Sequence, residues 1–190
     1  MQKTTFFSGL ALASTLLLAA LPAQAQQLVP AQSSVEFTAK QMGVPLQGHF
    51  KKFDAQVAFD PTKLAASRIR FTVDTGSATM GARETDAELP KAPWFNVPQF
   101  PQATFESTAI KALGGGKFDV AGKLTIKGAA VSVNVPVTLV QSGATTTATG
   151  SLPIKRLAFK IGDGEWADTS MVADEVQVKF KLALTGVGKL

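Results

Sequence analysis

The stretch that decides the fold runs from Lys117 to Leu139 and reads KFDVAGKLTIKGAAVSVNVPVTL. On both sides of Lys127-Gly128, apolar residues alternate with polar or charged ones. Side chains of a β-strand point alternately to its two faces, so each half is predicted to be a strand with one buried and one exposed face. Because only a short turn separates the two halves, the strands form a hairpin and are antiparallel.

The same alternation recurs along the rest of the chain. Turn-forming residues such as Asp60-Pro61, Gly114-Gly115-Gly116 and Ser142-Gly143 separate the alternating runs. About eight strands, each with one apolar face, predict an all-β protein built as a closed antiparallel barrel or a two-sheet sandwich. The strands are predicted at residues 35–40, 54–60, 68–74, 117–127, 131–139 and 175–185, with weaker ones near 46–53, 104–110 and 145–155.

One long segment, residues 78–101, breaks the alternation. Residues 82–89 can form two turns of helix, and prolines at 90, 93, 98 and 101 prevent a longer one. Long irregular segments of compact domains are commonly lids or binding loops, although this one could equally plug the end of a barrel. We predict that residues 83–100 form a rim or lid, with Trp94 and Phe95 touching a ligand or its access path.

The N-terminus has the features of a secretory signal peptide. A basic residue, Lys3, precedes an apolar run over residues 6–21, and Ala23-Gln24-Ala25 is a small-x-small cleavage site. The apolar run is shorter than the roughly 20 residues that a membrane-spanning helix needs. We therefore predict a signal peptide at residues 1–25 and one domain at residues 26–190, which is 190 − 25 = 165 residues long.

The composition of the chain argues against several classes of function. Residues 26–190 carry 18 basic and 14 acidic side chains, a surplus of +4 without a basic run, which argues against a nucleic-acid partner. The absence of cysteine excludes disulfides and thiol chemistry. A single histidine, His49, offers little to a transition-metal site. No catalytic residue, metal site or cofactor is predicted.

One tetrapeptide, Asp74-Thr75-Gly76-Ser77, matches the signature of aspartic peptidases. In those enzymes the carboxylate works with a second aspartate, which here a homodimer would have to supply. The motif falls where a predicted strand ends and a turn must begin, and Asp, Gly and Ser are turn residues. We therefore interpret Asp74 as a turn residue and keep a dimeric peptidase as a remote alternative.

The predicted strands place apolar residues on their inner faces and charged residues outside, the reverse of a transmembrane barrel. Such a barrel encloses an apolar space that is either filled by its own side chains or holds one ligand. Composition alone does not distinguish a filled lumen from one that holds a ligand. The residues predicted to line a ligand site are Phe37, Phe50, Phe71, Val73, Trp94, Phe95, Phe105, Phe118, Val133 and Phe180.

Several motifs resemble one family, the YceI-like, polyisoprenoid-binding proteins. They are GHFKKFD at residues 48–54, FDP at 59–61, PQATFEST at 101–108 and VAGKLTIKG at 120–128. Residues 159–168, FKIGDGEWAD, are similar to the branch found beside diheme b-type cytochromes of the inner membrane. The resemblance covers residues 29–185 and depends on the order and spacing of the motifs.

The resemblance implies an eight-stranded antiparallel, lipocalin-like barrel, secretion to the periplasm and no established catalytic residue. It also implies that the lumen holds an isoprenoid lipid, either a polyisoprenoid or an isoprenoid quinone. An accessory role beside an inner-membrane b-type cytochrome is the alternative, and a homodimer also stays open. The chain departs from the family at Arg83, which many members follow with Asp-x-His-Leu and this chain follows with Glu84-Thr85-Asp86-Ala87-Glu88-Leu89.

Overall fold

The structure, a computed structural model, describes residues 26–190. The predicted signal peptide at residues 1–25 lies outside the described residues. Eleven strands form a single sheet, and every strand pair in it is antiparallel. The strands are β1 (Gln27–Leu28), β2 (Ser34–Gln41), β3 (Val44–Phe50), β4 (Phe53–Ala58), β5 (Arg68–Asp74), β6 (Ala78–Thr79), β7 (Gln102–Gly114), β8 (Lys117–Ile126), β9 (Ala129–Ser142), β10 (Thr145–Lys155) and β11 (Glu175–Thr185). The one α-helix of residues 26–190 is α1 (Arg83–Glu88), and no helix in that range is long and apolar enough to cross a membrane.

The sheet curls into a lipocalin-like barrel, as predicted. Its strand order is β4-β5-β7-β8-β9-β10-β11-β2-β3-β6, and β1 pairs with β11. Gln26, which precedes β1, bridges to Val57 on the edge strand β4. The Gln26 side chain also donates to the carbonyl of Phe59 (2.6 Å) and accepts from its N–H (3.0 Å). The segment at β1 therefore ties the edge strand β4 to β11 across the curled sheet.

The strand count is larger than the predicted eight. Nine strands have six or more residues and correspond to the nine segments predicted from alternation. The other two, β1 and β6, have two residues each, which is too short for a period of two to be recognised.

Three glycines of the sheet each lie under a phenylalanine ring from a neighbouring strand. A Cβ placed on any of these glycines would lie less than 3.0 Å from carbons of the ring. Each ring can therefore lie flat against the wall only because its neighbour has no side chain. The pairs are Gly48 with Phe37, Gly122 with Phe105 and Gly150 with Phe180.

Two irregular segments, residues 80–101 and 156–174, cover one end of the barrel. They are joined directly, because the N–H of Gly162 donates to the carbonyl of Pro93 (2.7 Å). The buried ammonium of Lys127, in the β8–β9 turn, donates to the carbonyls of Pro93 (3.2 Å) and Lys160 (2.5 Å). We call these two segments the cover; the sequence predicted only the first of them.

The opposite end of the barrel is closed by apolar packing and by the C-terminal residues. The rings of Phe59 and Phe118 meet edge to face, with centroids 5.3 Å apart. Val187 packs against this cluster. The side-chain amide of Gln141 donates to the carbonyls of Val187 (3.3 Å) and Gly188 (3.3 Å), which holds the tail in place.

The packing of rings on glycines predicts that Gly150→Ala lowers the free energy of unfolding by about 1–3 kcal/mol, as overpacking of a core does. The new methyl group would collide with the ring of Phe180 and lie 2.8 Å from the carbonyl oxygen of Pro136. Urea unfolding measures the change. Gly188→Ala is the control, because its Cβ would meet nothing nearer than 4.0 Å. Equal stability of the two variants would contradict the role given to Gly150.

Candidate ligand-binding cavity

The barrel encloses a cavity of about 590 Å³. This volume lies within the range of roughly 300–1,000 Å³ that is typical of small-molecule sites. The wall is built from apolar side chains that point inward from the strands, with few polar residues among them. The polar lining residues are Lys40, Gln41, Glu84, Thr85, Glu88, Thr146 and Arg156. The lumen is therefore an apolar chamber that the side chains of the described residues leave unfilled.

The exposed residues of the lining indicate where the cavity reaches solvent. Of the residues that line it, only Lys40, Glu84 and Glu88 are exposed. Lys40 lies near the end of β2, and the two glutamates lie on α1. We call this opening between α1 and the end of β2 the mouth. Its charged residues contrast with the apolar interior, so the mouth suits the polar end of an amphipathic molecule.

The position of α1 depends on one carboxylate. Asp86 accepts hydrogen bonds from the N–H of Met80 (2.6 Å) and from the hydroxyl of the buried Thr79 (2.5 Å). These two hydrogen bonds, the one from Met80 first, lower the pKa of the Asp86 carboxyl below its ordinary value. No side chain caps the N-terminus of α1. The ionised Asp86 therefore fixes this six-residue helix to the chain that follows β6.

Arg156 lines the cavity below the cover, and its exposed fraction is 2%. Its guanidinium makes five hydrogen bonds, all of them to backbone carbonyls of residues 161–173. An arginine has five N–H donors, so none is left for a ligand. Burial lowers the pKa of the guanidinium, and the nearby charge of Asp174 opposes this shift. Arg156 is thus a structural residue that shapes the second segment of the cover.

Nine of the ten predicted ligand-site residues lie on the cavity wall. They are Phe37, Phe50, Phe71, Val73, Trp94, Phe95, Phe105, Phe118 and Phe180. Contact of these residues with a ligand stays a prediction. The wall and the cover are continuous, because the ring of Phe50 lies 5.3 Å from that of Phe37 and 5.9 Å from that of Phe95. Trp94 packs 5.7 Å from Trp166, which joins the two segments of the cover above the cavity.

Val133 is the exception, and its predicted place in the lining is corrected. The residue is half-buried and does not belong to the cavity wall. Val133 pairs with Gly122 across β8 and β9, and the ring of Phe105 lies over that glycine. We attribute the exclusion of Val133 to this ring, which covers the neighbouring part of the wall.

Neither Asp74 nor His49 lies on the wall of the cavity. The carboxylate of Asp74 accepts from the N–H of Gly76 (2.9 Å), and Ser77 donates to the carbonyl of Asp74 (2.7 Å). The buried Thr75 donates to the carbonyl of Phe100 (2.8 Å). The tetrapeptide thus forms a turn that is anchored to the chain before β7. His49 is exposed on β3.

Sequence reasoning missed several lining residues, among them Ala148, Thr146 and Trp166. Thr146 and Ala148 are two residues apart on β10, so they share a face with Ile154, which also lines the cavity. Their alternation with other small and polar residues is too weak to mark the inner face. Trp166 carries no such signal, because it lies in a short 3₁₀ helix (Gly164–Trp166) of the cover.

A family model described as the YceI-like domain matches residues 26–184. The crystal structure of BcnA from Burkholderia cenocepacia is 52% identical, with a TM-score of 0.79, and the match covers 82% of this chain and 98% of that one. A UPF0312 protein of Vibrio parahaemolyticus is 31% identical over 148 residues, which are 75% of this chain and 77% of the relative. A UPF0312 protein of Yersinia pestis is 40% identical, but the match spans only about half of each protein (55% and 53%).

A more distant solved structure is a polyisoprenoid binding domain from Saccharophagus degradans. It is 15% identical with a TM-score of 0.70, and the match covers 85% of this chain and 98% of that one. At this identity the similarity shows a common fold alone. The match of the family model over residues 26–184, together with the barrel and its cavity, shows that the chain belongs to the YceI-like domain family.

Proposed function

We propose that this protein binds and carries an isoprenoid lipid in the lumen of its barrel. The observation that carries the proposal is an apolar cavity of about 590 Å³ with a charged mouth at α1. The distant relative from Saccharophagus degradans, a polyisoprenoid binding domain of the same fold, supports this ligand class. The predicted signal peptide supports a periplasmic location, where the carrier would exchange its lipid with a membrane.

The free energy of binding would come from burial of the lipid chain. Each buried methylene contributes about 0.8 kcal/mol, and the ordering of a flexible chain opposes part of this gain. A branched isoprenoid offers many carbon atoms to the phenylalanine rings and aliphatic side chains of the wall. Because the hydrophobic effect is non-directional, it favours any apolar chain of suitable size and does not depend on a particular arrangement of functional groups.

We propose no catalytic role. Within residues 26–190, the interior of the cavity presents no titratable group that is free to react, since all five N–H donors of Arg156 are bonded to carbonyls. The turn that Asp74 stabilises argues against the aspartic-peptidase alternative. A docking role beside an inner-membrane b-type cytochrome is a second candidate, supported by the exposed segment 163–165 of the cover, within the stretch that resembles that branch.

The carrier function predicts that Ala148→Phe abolishes lipid retention without unfolding the protein. Ala148 lines the cavity, and its exposed fraction is 6%. A phenyl group there would fill space that the lipid needs, and filling a cavity restores packing contacts. Mass spectrometry of organic extracts should find an isoprenoid lipid in the wild-type protein purified from its native periplasm, and none in Ala148→Phe.

Ala130→Phe is the matched control, because Ala130 is exposed on β9 and does not line the cavity. It should retain as much lipid as the wild type. Thermal unfolding of all three proteins establishes that they are folded. An equal lipid content in Ala148→Phe and Ala130→Phe would place the lipid elsewhere and would refute the proposed function.

The hydrogen bonds that Asp86 accepts beside the mouth predict that lipid release depends on pH. The folded-state pKa of Asp86 is lowered, so its contribution to the stability of α1 is complete at neutral pH and is lost as the pH falls below about 4. Release should accelerate over that range in the wild type. Asp86→Asn should release lipid faster already at pH 7 and should depend less on pH. Transfer of a fluorescent lipid to acceptor vesicles measures the rate.

Asp168→Asn is the control for this experiment. The pKa of Asp168 is also lowered by hydrogen bonds, from the side chain and then the backbone of Ser170. Asp168 is exposed and does not line the cavity. Its substitution should leave the release rate and its pH profile unchanged. A wild-type rate that is constant between pH 7 and pH 3 would show that Asp86 does not control the mouth.

A further inference from the structure

Three of the six large apolar side chains that are exposed within residues 26–190 lie together beside the mouth. They are Met42, which is 66% exposed, Val44, which is 59% exposed, and Met171. Met42 lies in the turn between β2 and β3, and its N–H donates to the carbonyl of Met171 (2.8 Å). Val44 pairs with Gln41 directly across that turn. We call Met42, Val44 and Met171 the apolar tip.

The apolar tip adjoins the mouth of the cavity. Lys40 and Gln41, which precede Met42, both line the cavity, and so does Val172, which follows Met171. Gln41 and Val172 also form a β-bridge, which joins the turn to the second segment of the cover. A lipid that passes through the mouth therefore leaves the lumen beside the apolar tip.

The backbone of Met42 has a conformation that is unusual for its residue type. Its φ is 48° and that of Gly43 is 81°, and a two-residue hairpin turn with both φ values positive favours asparagine followed by glycine. A methionine is strained there, because its Cβ crowds the backbone in the left-handed region. The fold gains little from this side chain in return, since most of it is exposed.

A second hairpin of the chain shows a use for such a residue. Lys127 occupies the same position in the β8–β9 turn, with a φ of 47°, and Gly128 follows with a φ of 76°. The side chain of Lys127 is used, because its ammonium holds the two segments of the cover together. Strained residues collect at functional sites. By the same reasoning, the exposed side chain of Met42 has a use outside the described fold.

The charges around the apolar tip suit a lipid surface. Residues 40–46 read KQMGVPL and carry one charged side chain, that of Lys40. The ion pairs of residues 26–190 do not involve Lys40, so its ammonium is open to a phosphate group. Where proteins lie on a bilayer, apolar side chains enter the acyl region and a neighbouring lysine keeps its ammonium among the head groups.

The size of the apolar tip also favours a bilayer over a second protein. A stable interface between two proteins buries roughly 800 Å² on each side, far more than three aliphatic side chains expose. Insertion into a bilayer needs no complementary surface, and each side chain that enters the acyl region adds its own apolar burial.

We propose that the apolar tip inserts into the surface of a phospholipid bilayer and holds the mouth against the membrane. Lipid then passes between bilayer and lumen without crossing water. This inference rests on the proposed carrier function and adds the surface with which the carrier docks. The other three exposed apolar residues, Leu113, Val140 and Leu190, lie toward the closed end, which does not open into the lumen.

Flotation of the purified protein with vesicles of phosphatidylcholine tests the docking surface. Met42→Asn removes the apolar side chain and introduces the residue that this turn favours. It should weaken vesicle binding about 10-fold, as expected for the loss of most of one buried side chain, and should raise Tm. A merely structural role of Met42 predicts a lower Tm instead. Val44→Thr, which keeps a branched side chain suited to a strand, should also weaken binding.

Val140→Thr is the matched control. Val140 is a strand valine of similar exposure (61%), but it lies on β9 beside Gln141, which holds the C-terminal tail at the closed end. Val140→Thr should bind the vesicles as the wild type does. Equal losses in Val44→Thr and Val140→Thr would show that binding does not depend on the apolar tip.

Lipid transfer gives a second readout, with geranylgeraniol labelled by an anthraniloyl group as the probe. A carrier that docks delivers its lipid on collision, so the transfer rate rises with the concentration of acceptor vesicles. Release into water before uptake gives a rate that does not depend on this concentration. The wild type should show the first behaviour, and the double variant Met42→Asn/Val44→Thr should show the second.

The outcomes separate docking from the carrier function. Equal flotation of the wild type and the double variant, or a wild-type transfer rate independent of vesicle concentration, would overturn the docking role while the carrier function stands. A wild-type dimer in analytical ultracentrifugation that the double variant abolishes would assign the apolar tip to a second copy. Binding to native membranes but not to lipid vesicles would assign it to a membrane protein. Either result would overturn the proposal. Organic extracts without lipid would refute the carrier function, and flotation would still decide whether the apolar tip docks.

Discussion

The packing of phenylalanine rings against glycines is the constraint on which the cavity depends. In a small barrel, large inward side chains would meet at the axis and fill the lumen. Here the rings of Phe37, Phe105 and Phe180 lie on backbone that carries no side chain. They cover the wall with aromatic surface and leave the centre free. The lumen is thus apolar and open at the same time, which is what a carrier of a hydrocarbon chain requires.

The cover depends on two buried cations that are bonded mainly to backbone carbonyls. Lys127 joins the two segments of the cover, and Arg156 organises the second one. Because their donors are occupied by the fold itself, these charges stabilise irregular backbone without adding a binding site for anions. The cover is therefore held by hydrogen bonds within the fold, and the interior offers no free positive charge within the described residues.

The sequence predicted the strands well because a period of two is a local signal, and Lys117–Leu139 shows it directly. It could not predict whether the lumen is filled, because that depends on which ring lies against which glycine across strands. Val133 shows what alternation cannot predict. Alternation tells which face of a strand a side chain is on, but it does not tell which other side chains cover that face. The sequence did not predict that Lys127 and Arg156 hold the cover in place. Their carbonyl partners belong to irregular segments, and the path of such segments cannot be predicted from alternation.

The two ends of the barrel differ in how they are held together, and this difference gives the lumen a direction. The closed end combines the packed rings of Phe59 and Phe118 with the tail held by Gln141. The mouth depends on α1, a helix of six residues fixed by Asp86. Apolar burial alone does not orient a ligand, because the hydrophobic effect is non-directional. The charged residues of the lining lie at the mouth and beneath the cover, and the lining of the closed end is apolar except for Thr146, so the two ends of a bound molecule meet different surroundings.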